Sequence, residues 1–228
     1  MATTDPSPAP ADPAAPADAE VLVIVAHPEL EQSRANRRLL QAARALQSNS
    51  PPGRLAVRDL YALYPDYLID IAVEQAALKA AKLVVWQQPI RWYSMPPLLK
   101  LWLDDVLTFG WAYGPDGNAL RGKDLWLVAS TGGPEDSYRP DSYNRYFFDA
   151  FLPPYEQTAA LCGMRFLPPL VLHGAHRASD AELAAHATTF ARKLAEYPNW
   201  PEMEFIEDCV ECRVPETARP IDRSMEPA

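Results

Sequence analysis

Three short stretches of the chain concentrate residue types that hold anions and flat rings. The segment AHPELEQSRAN (26–36) carries His27, Ser33, Arg34, Ala35 and Asn36 up to the point where a helix is expected to begin. A helix N-terminus presents unpaired N–H groups and the positive end of its dipole, so it favours an anion. Ser33 could add a hydroxyl and Arg34 and Asn36 further donors, a set suited to a phosphate. Taken alone, the segment favours a plainer reading, with Ser33 as an ordinary helix cap and His27 as a loop histidine, because capping serines are commonplace. The segment QPIRWYSMPP (88–97) sets Arg91 beside Trp92 and Tyr93. Such an aromatic pair could cover a planar conjugated ring while loop N–H groups bond its heteroatoms, or it could simply pack beneath the loop. In STGGPEDSY (130–138) the run Thr131-Gly132-Gly133 permits close approach of backbone to ligand, although a Gly-Gly pair also makes a simple turn. Neither a G-x-G-x-x-G fingerprint nor a glycine-rich P-loop with its lysine occurs, which argues against a nucleotide bound in either of those ways.

The elements flanking these stretches alternate strand and helix. VLVIVA (21–26) is a continuous, β-branched apolar run suited to a strand buried on both faces of a parallel sheet. From Ser33 the apolar residues Ala35, Leu39, Leu40, Ala43 and Leu46 mark one face of a helix. A strand is expected over 54–61, a short helix over 71–80 and a strand over 82–88. A helix over 95–107 tolerates prolines in its first turn. A strand over 124–130, a helix near 149–162, a weaker strand over 166–174 and an amphipathic helix over 179–197 complete the pattern. Five such repeats predict an α/β, doubly wound, five-stranded parallel sheet with helices on both faces and strand order 2-1-3-4-5. In that arrangement ligands sit beyond the carboxyl ends of the strands near the switch point, so all three polar loops should meet at one mouth.

Composition narrows the function classes. Of 228 residues, 48% are hydrophobic and 22% charged, which are globular proportions. The net charge of −9 argues against a nucleic-acid-binding surface, but it is unevenly placed. Residues 1–19 hold three acids and no base and residues 201–228 eight acids and three bases, which leaves 19 acids and 18 bases in residues 20–200. The expected organisation is therefore a disordered Pro/Ala/Asp leader over 1–19, one domain over 20–200, and an acidic tail over 201–228. No apolar stretch approaches the roughly 20 residues of a membrane span, so a soluble protein is expected. Three cysteines suggest a reducing cytoplasm rather than a disulfide framework. The Cys209-x-x-Cys212 pair lacks a second ligand pair for zinc, and no metal is expected. Adjacent Asp104 and Asp105 point apart on a helix. His173 and His176 read as structural or dimer-facing, and Leu101 and Trp102 as core or interface.

The stretches AHP…S-x-A-N, VVWQQPIRWYSMPPLLKLWLDDVLTFGWAYG and the TGG after the fourth strand resemble the NAD(P)H:quinone oxidoreductase family of flavodoxin-like fold. Within it they are most similar to the ancillary proteins of glutathione-regulated potassium-efflux systems, over about residues 20–197. The resemblance implies FMN, with FAD as the alternative, and NAD(P)H as donor to a quinone or another small electrophilic acceptor by two-electron transfer in two steps at one site. By position, His27 and Ser33, Arg34, Ala35 and Asn36 would surround the phosphate and ribityl chain. Pro89, Ile90, Arg91, Trp92 and Tyr93 would line the ring from the second loop and Thr131, Gly132 and Gly133 from the third. Tyr138 matches the family's catalytic tyrosine, whereas Asn144 stands where animal-type members have a histidine and cannot titrate. Three alternatives follow: slower quinone reduction, use of Tyr143 or water in its place, or turnover secondary to regulation. Pro134 replaces a glycine of some relatives and lacks an N–H. A homodimer and a membrane potassium-efflux antiporter are the implied partners, with a cytoplasmic location that extends to the inner face of the membrane. The alternative is a regulatory flavin-binding subunit with little turnover. A one-electron flavodoxin lacks support because its Thr-rich phosphate loop is missing, and a receiver domain because no acidic pair follows the first strand.

Overall fold

A computed structural model describes residues 19–204 of the chain. Most of the Pro/Ala/Asp leader, Cys209, Cys212 and most of the acidic tail lie outside the described residues. Five strands, β1 (Val21–Val25), β2 (Leu55–Asp59), β3 (Leu83–Pro89), β4 (Asp124–Ser130) and β5 (Arg165–Leu172), form one sheet in the order β2-β1-β3-β4-β5. Every pairing is parallel. Every residue of β1 and β4 is buried, as apolar runs without alternation require when both faces are covered.

The period of two divides the core. Val21, Val23 and Val25 face α1 (Arg34–Asn49) and α6 (Asp180–Glu196), packing with Leu39, Leu40, Phe190 and Leu194. Leu22 and Ile24 point the other way, into the cluster that holds Leu78 of α3 (Ile71–Ala80), Leu99 and Trp102 of α4 (Pro97–Val106) and Tyr155 of α5 (Pro153–Leu161). Trp102 is thus core, and Asp104 pairs with Lys100 one turn away on the helix surface.

Two elements differ from the sequence reading in ways that matter later. The second strand stops at Asp59, whose carboxylate accepts from the Ala62 N–H and starts the single turn α2 (Leu60–Leu63). The cap overrides the apolar Leu60-Tyr61 pattern that reads as strand. At the other edge, β5 ends at Leu172, so His173 and Gly174 leave the sheet rather than continue it. Pro168 and Pro169 are tolerated because β5 has a neighbour on one side only, and the β4–β5 register shifts between Trp126 and Val128.

One buried polar cluster lies beneath α3 and α4. Glu74 is fully buried and accepts from Arg58 (Nε 2.8 Å, Nη2 2.5 Å), the Tyr64 hydroxyl (2.6 Å) and the Trp102 indole N–H (3.0 Å). On the opposite face, His186 of α6 has a buried Nε2 with no partner among the described residues, and burial lowers its pKa from the ordinary 6.5. Because the unfolded chain takes up that proton first, stability should be full above pH 6.5 and fall as pH drops below it. Urea unfolding at stepped pH should show that loss, and His186→Leu should reduce it.

Candidate functional site

The carboxyl ends of β1, β3 and β4 open onto a cavity of about 350 Å³, within the range of small-molecule sites. Its wall includes His27, Ser33, Arg34, Ala35, Asn36, Pro89, Ile90, Thr131 and Gly132, so residues from all three polar loops meet there.

The first loop ends on α1 as its residues dictate. Ser33 has extended backbone, and its hydroxyl oxygen accepts from the Asn36 N–H at 3.1 Å. That bond uses a lone pair and leaves the Ser33 proton free. The N–H groups of Arg34 and Ala35, in the first turn, have no intrahelical acceptor. Ser33 is therefore the expected cap and also part of a set of donors facing one space. His27 Nδ1 accepts from the Glu29 N–H at 3.0 Å, which places the ring proton on Nε2. Burial and then the nearby Arg91 lower the His27 pKa, which favours the neutral ring. Arg34 is less free than its sequence position suggests. Its guanidinium donates to Ala178 O (3.0 Å) and Asp180 Oδ1 (3.2 Å), tying α1 to the start of α6. Arg38 shares Asp180, and the hydrogen bonds from Arg34 and Arg38 hold that carboxyl below its usual value.

Asn36 carries a sharper signal. It is 1% exposed, its Nδ2 donates to Ser130 Oγ at 2.8 Å, and its Oδ1 has no partner among the described residues. A buried acceptor left open in a cavity wall fits a ligand hydroxyl.

The second loop is a two-residue hairpin. Arg91 and Ser94 exchange backbone hydrogen bonds at 3.0 Å each, while Trp92 (φ 50°) and Tyr93 (φ 62°) both lie in the left-handed region. Such a turn normally takes Asn or Gly, so two bulky aromatics here are held against preference. Trp92 is 94% exposed, which excludes packing beneath the loop. Tyr93 does pack, stacked on Phe151 with centroids 5.1 Å apart, and its hydroxyl donates to Asn144 Oδ1 at 3.3 Å. The N–H groups of Trp92 and Tyr93 have no partner among the described residues, whereas that of Ile90 continues the sheet to Ser130 O. Arg91 sits 3.9 Å from Glu29 and lies outside the cavity wall. Trp92→Asn removes almost no contact and relieves the φ, so it should raise stability by about 0.5–1 kcal/mol while weakening ring binding. Thermal melts and a flavin titration of this variant read the two effects separately.

The third loop is fastened to the end of β5 by Thr131 N–H to Leu172 O (3.0 Å), Ala175 N–H to Thr131 O (2.9 Å) and Gly174 N–H to Gly133 O (2.8 Å). The two glycines do different work. A Cβ on Gly133 would meet Ser137 Oγ at 2.7 Å, so Gly133 permits the loop to pack. A Cβ on Gly132, a residue of the cavity wall, would meet nothing within 4 Å. Tyr138 lies behind this loop, 7% exposed, outside the cavity wall, and burial raises its hydroxyl pKa. Asn144 is held by Ser137 (2.8 Å) and Tyr93. Tyr143 is 87% exposed.

Residues that the sequence reading left out also line the space: Glu29, Gln32, Ser130, Ala175 and His176. His176 enters because the turn after β5 folds back over the first helix. The residues present fit a flavin mononucleotide: phosphate donors at the α1 terminus, an unpaired buried acceptor at Asn36 for a ribityl hydroxyl, and a cavity wall at Gly132 that no side chain fills. Among the described residues no group of three or more His, Cys, Asp or Glu could hold a metal ion.

Comparison with known proteins agrees. The flavodoxin-like-fold family, Flavodoxin_2, matches residues 19–194. The glutathione-regulated potassium-efflux system ancillary protein KefF of Citrobacter koseri is 45% identical over 174 residues, covering 76% of this chain and 94% of that protein. General stress protein 14 of Treponema denticola, solved in complex with FMN, is 38% identical with a TM-score of 0.70, covering 77% of this chain and 98% of that one. A structure titled NADPH-quinone reductase from P. pentosaceus is 26% identical with a TM-score of 0.64 over 77% of this chain and 97% of that one. The chain belongs to the flavodoxin-like-fold family, alongside the ancillary proteins of glutathione-regulated potassium-efflux systems.

Proposed function

We propose that the protein is an FMN-dependent NAD(P)H:quinone oxidoreductase. The observation that carries this reading is the unpaired buried acceptor Asn36 Oδ1 on a wall residue of a cavity that also presents the α1 N-terminus and the bare Gly132. Bound there, FMN supplies a relay of two electrons from NAD(P)H to a quinone or another small electrophilic acceptor. Ser33 and the Arg34 and Ala35 N–H groups hold the phosphate. His27 adds its Nε2 proton, and Asn36 accepts from the ribityl chain. Pro89 and Ile90, with the Arg91–Tyr93 turn, face the ring from one side, and Thr131, Gly132 and Gly133 from the other. Tyr138 closes the site from behind. The neighbouring cavity is walled by Glu29, Glu31 and Asp59, an unfavourable place for the second phosphate of FAD. FMN should therefore bind more tightly than FAD.

Donor and acceptor take turns at one site in this reading. Initial rates at varied NAD(P)H and quinone should give parallel double-reciprocal lines, and intersecting lines would contradict the sharing. The protein acts as a cytoplasmic homodimer, for which Tyr67, Leu68, Ile71 and Phe109 supply exposed apolar surface. No helix among the described residues is long and apolar enough to cross a membrane.

The identity to KefF supports a second reading, a subunit that regulates a membrane potassium-efflux antiporter with little turnover of its own. Potassium efflux restored equally by wild type and by Tyr138→Phe with impaired quinone turnover would favour it. Efflux that tracks turnover would favour the enzyme.

A further inference from the structure

The turn after β5 is pinned on both sides of His176 against the first turn of α1. Gly174, in the left-handed region at φ 61°, reverses the chain, and its carbonyl accepts from the Arg177 N–H at 2.8 Å and the Ala178 N–H at 3.2 Å. Before His176, the Ala175 N–H donates to Thr131 O; after it, Ala178 O accepts from the Arg34 guanidinium at 3.0 Å. Ala175 and Ala178 pack in one small apolar cluster with Ala35 of α1 and Leu183 of α6. His176 therefore shares its stretch of cavity wall with Ser33, Arg34 and Ala35 at the helix terminus. Its ring has no hydrogen-bond or ion-pair partner among the described residues.

Positive charge in this wall falls short of what a phosphate needs. A helix terminus offers the equivalent of about half a positive charge, against nearly two negative charges on a phosphate monoester. Arg34 is turned toward α6, where it and Arg38 share Asp180, and Glu182 is taken up in the Ser179 capping box. Glu29 adds a negative charge to the wall. His27 is a neutral donor, because its Nδ1 accepts from the Glu29 N–H and burial and Arg91 disfavour its cation. His173 lies against the third loop, 3.1 Å from Thr131 Oγ1, and the wall residues Ser130, Thr131 and Gly132 of that loop carry no charge. Among the described wall residues, His176 is thus the group left to gain a positive charge. We propose that His176 recognises the flavin phosphate and takes up a proton from solvent as FMN binds, so that the site selects FMN over riboflavin more strongly in acid than in base. This rests on the FMN reading above. Asn36, 1% exposed and with Oδ1 unpaired, is the independent sign that the same wall takes a ligand.

The test measures FMN and riboflavin affinity by fluorescence quenching from about pH 6.5, where an imidazole ordinarily titrates, to about pH 9. Wild type is compared with His176→Gln, whose amide still donates but does not titrate. An adjacent opposite charge moves an ionisable group by about one to three units, and binding coupled to the proton is tightest at the acid end of the window. Wild-type FMN affinity should therefore fall by at least about fivefold across the window, in which the phosphate stays mostly a dianion. In His176→Gln the fall should disappear, with affinity close to wild type at the basic end and at least about fivefold weaker at the acid end. Riboflavin has the same ring and ribityl chain without the phosphate, and its affinity should not follow pH in either protein. Calorimetry near neutral pH in two buffers of different ionisation heat should show net proton uptake with FMN for wild type and none for the variant. A wild-type FMN affinity that is flat across the window, a fall that persists in His176→Gln, or a matching fall with riboflavin would overturn the proposal and leave the FMN reading standing. Protein that binds neither flavin at any pH would overturn that reading and the role of His176 with it.

Discussion

Gly132→Val should abolish FMN uptake, weakening it by at least about 10²-fold, while the melting temperature stays within a degree or two of wild type. The added side chain meets no protein atom within 4 Å of its Cβ, and the backbone there is not in the left-handed region. Folding therefore has nothing to resist it. Branched carbons in the space beside Gly132 would instead collide with a flat ring lying on the loop, and a buried collision of that kind has no cheap relaxation. Gly133→Ala makes the contrast, because its methyl meets Ser137 Oγ at 2.7 Å and should lower stability. Fluorescence-quenching titration and thermal melts of the two variants separate a glycine kept for a ligand from one kept for the fold. Equal flavin affinity in Gly132→Val would mean that the ring does not lie there.

Glu74→Ala should give the largest loss of stability of any single change away from the site, about 3–5 kcal/mol. Its carboxylate is fully buried and answers three donors at once, from Arg58, Tyr64 and Trp102. Removal strands the Arg58 guanidinium, itself 6% exposed, without an anion and leaves two further donors unpaired. Replacing Glu74 and Arg58 together by Met should cost markedly less than Glu74→Ala alone, because no buried charge remains. Chemical denaturation of the single and double variants measures the difference. A single-variant loss below about 1 kcal/mol would show that water reaches the cluster.

Much of the fold could be read from the chain because its strands are unambiguous. The runs at 21–26 and 124–130 are too continuously apolar for anything but strands covered on both faces, and strand–helix alternation then leaves few topologies. Ser33 announces the first helix by its chemistry, and with it the helix N-terminus that faces the cavity. The convergence of three loops followed from the strand order rather than from any one motif. Features that depend on long-range geometry were not legible. Glu74 sits on a helix where its type suggests a solvent-facing position, and nothing nearby in sequence reveals that Arg58 and Trp102 will meet it. The positive φ of Trp92 and Tyr93 carries no Asn-Gly signature, so the hairpin between them is hidden. His173 falls within the expected fifth strand, and its place behind Tyr138 arises only because β5 stops at Leu172, two residues short of the expected end, and Gly174 turns the chain back. His176 reaches the cavity wall by the same turn.

The charge of the chain gains meaning from this division. Its excess acid lies toward the two ends, while the described domain is nearly neutral and turns helix-terminal donors toward the cavity. Deleting residues 1–18 and 205–228 should leave flavin affinity unchanged.

The most direct measurement is one visible absorbance spectrum of the purified protein mixed with FMN, recorded before and after anaerobic NADH or NADPH. A stoichiometric flavin band that survives desalting, bleaches on addition of the nicotinamide and returns with quinone is the expected result. Protein that desalts colourless, or a bound flavin band that neither nicotinamide bleaches, would contradict the account.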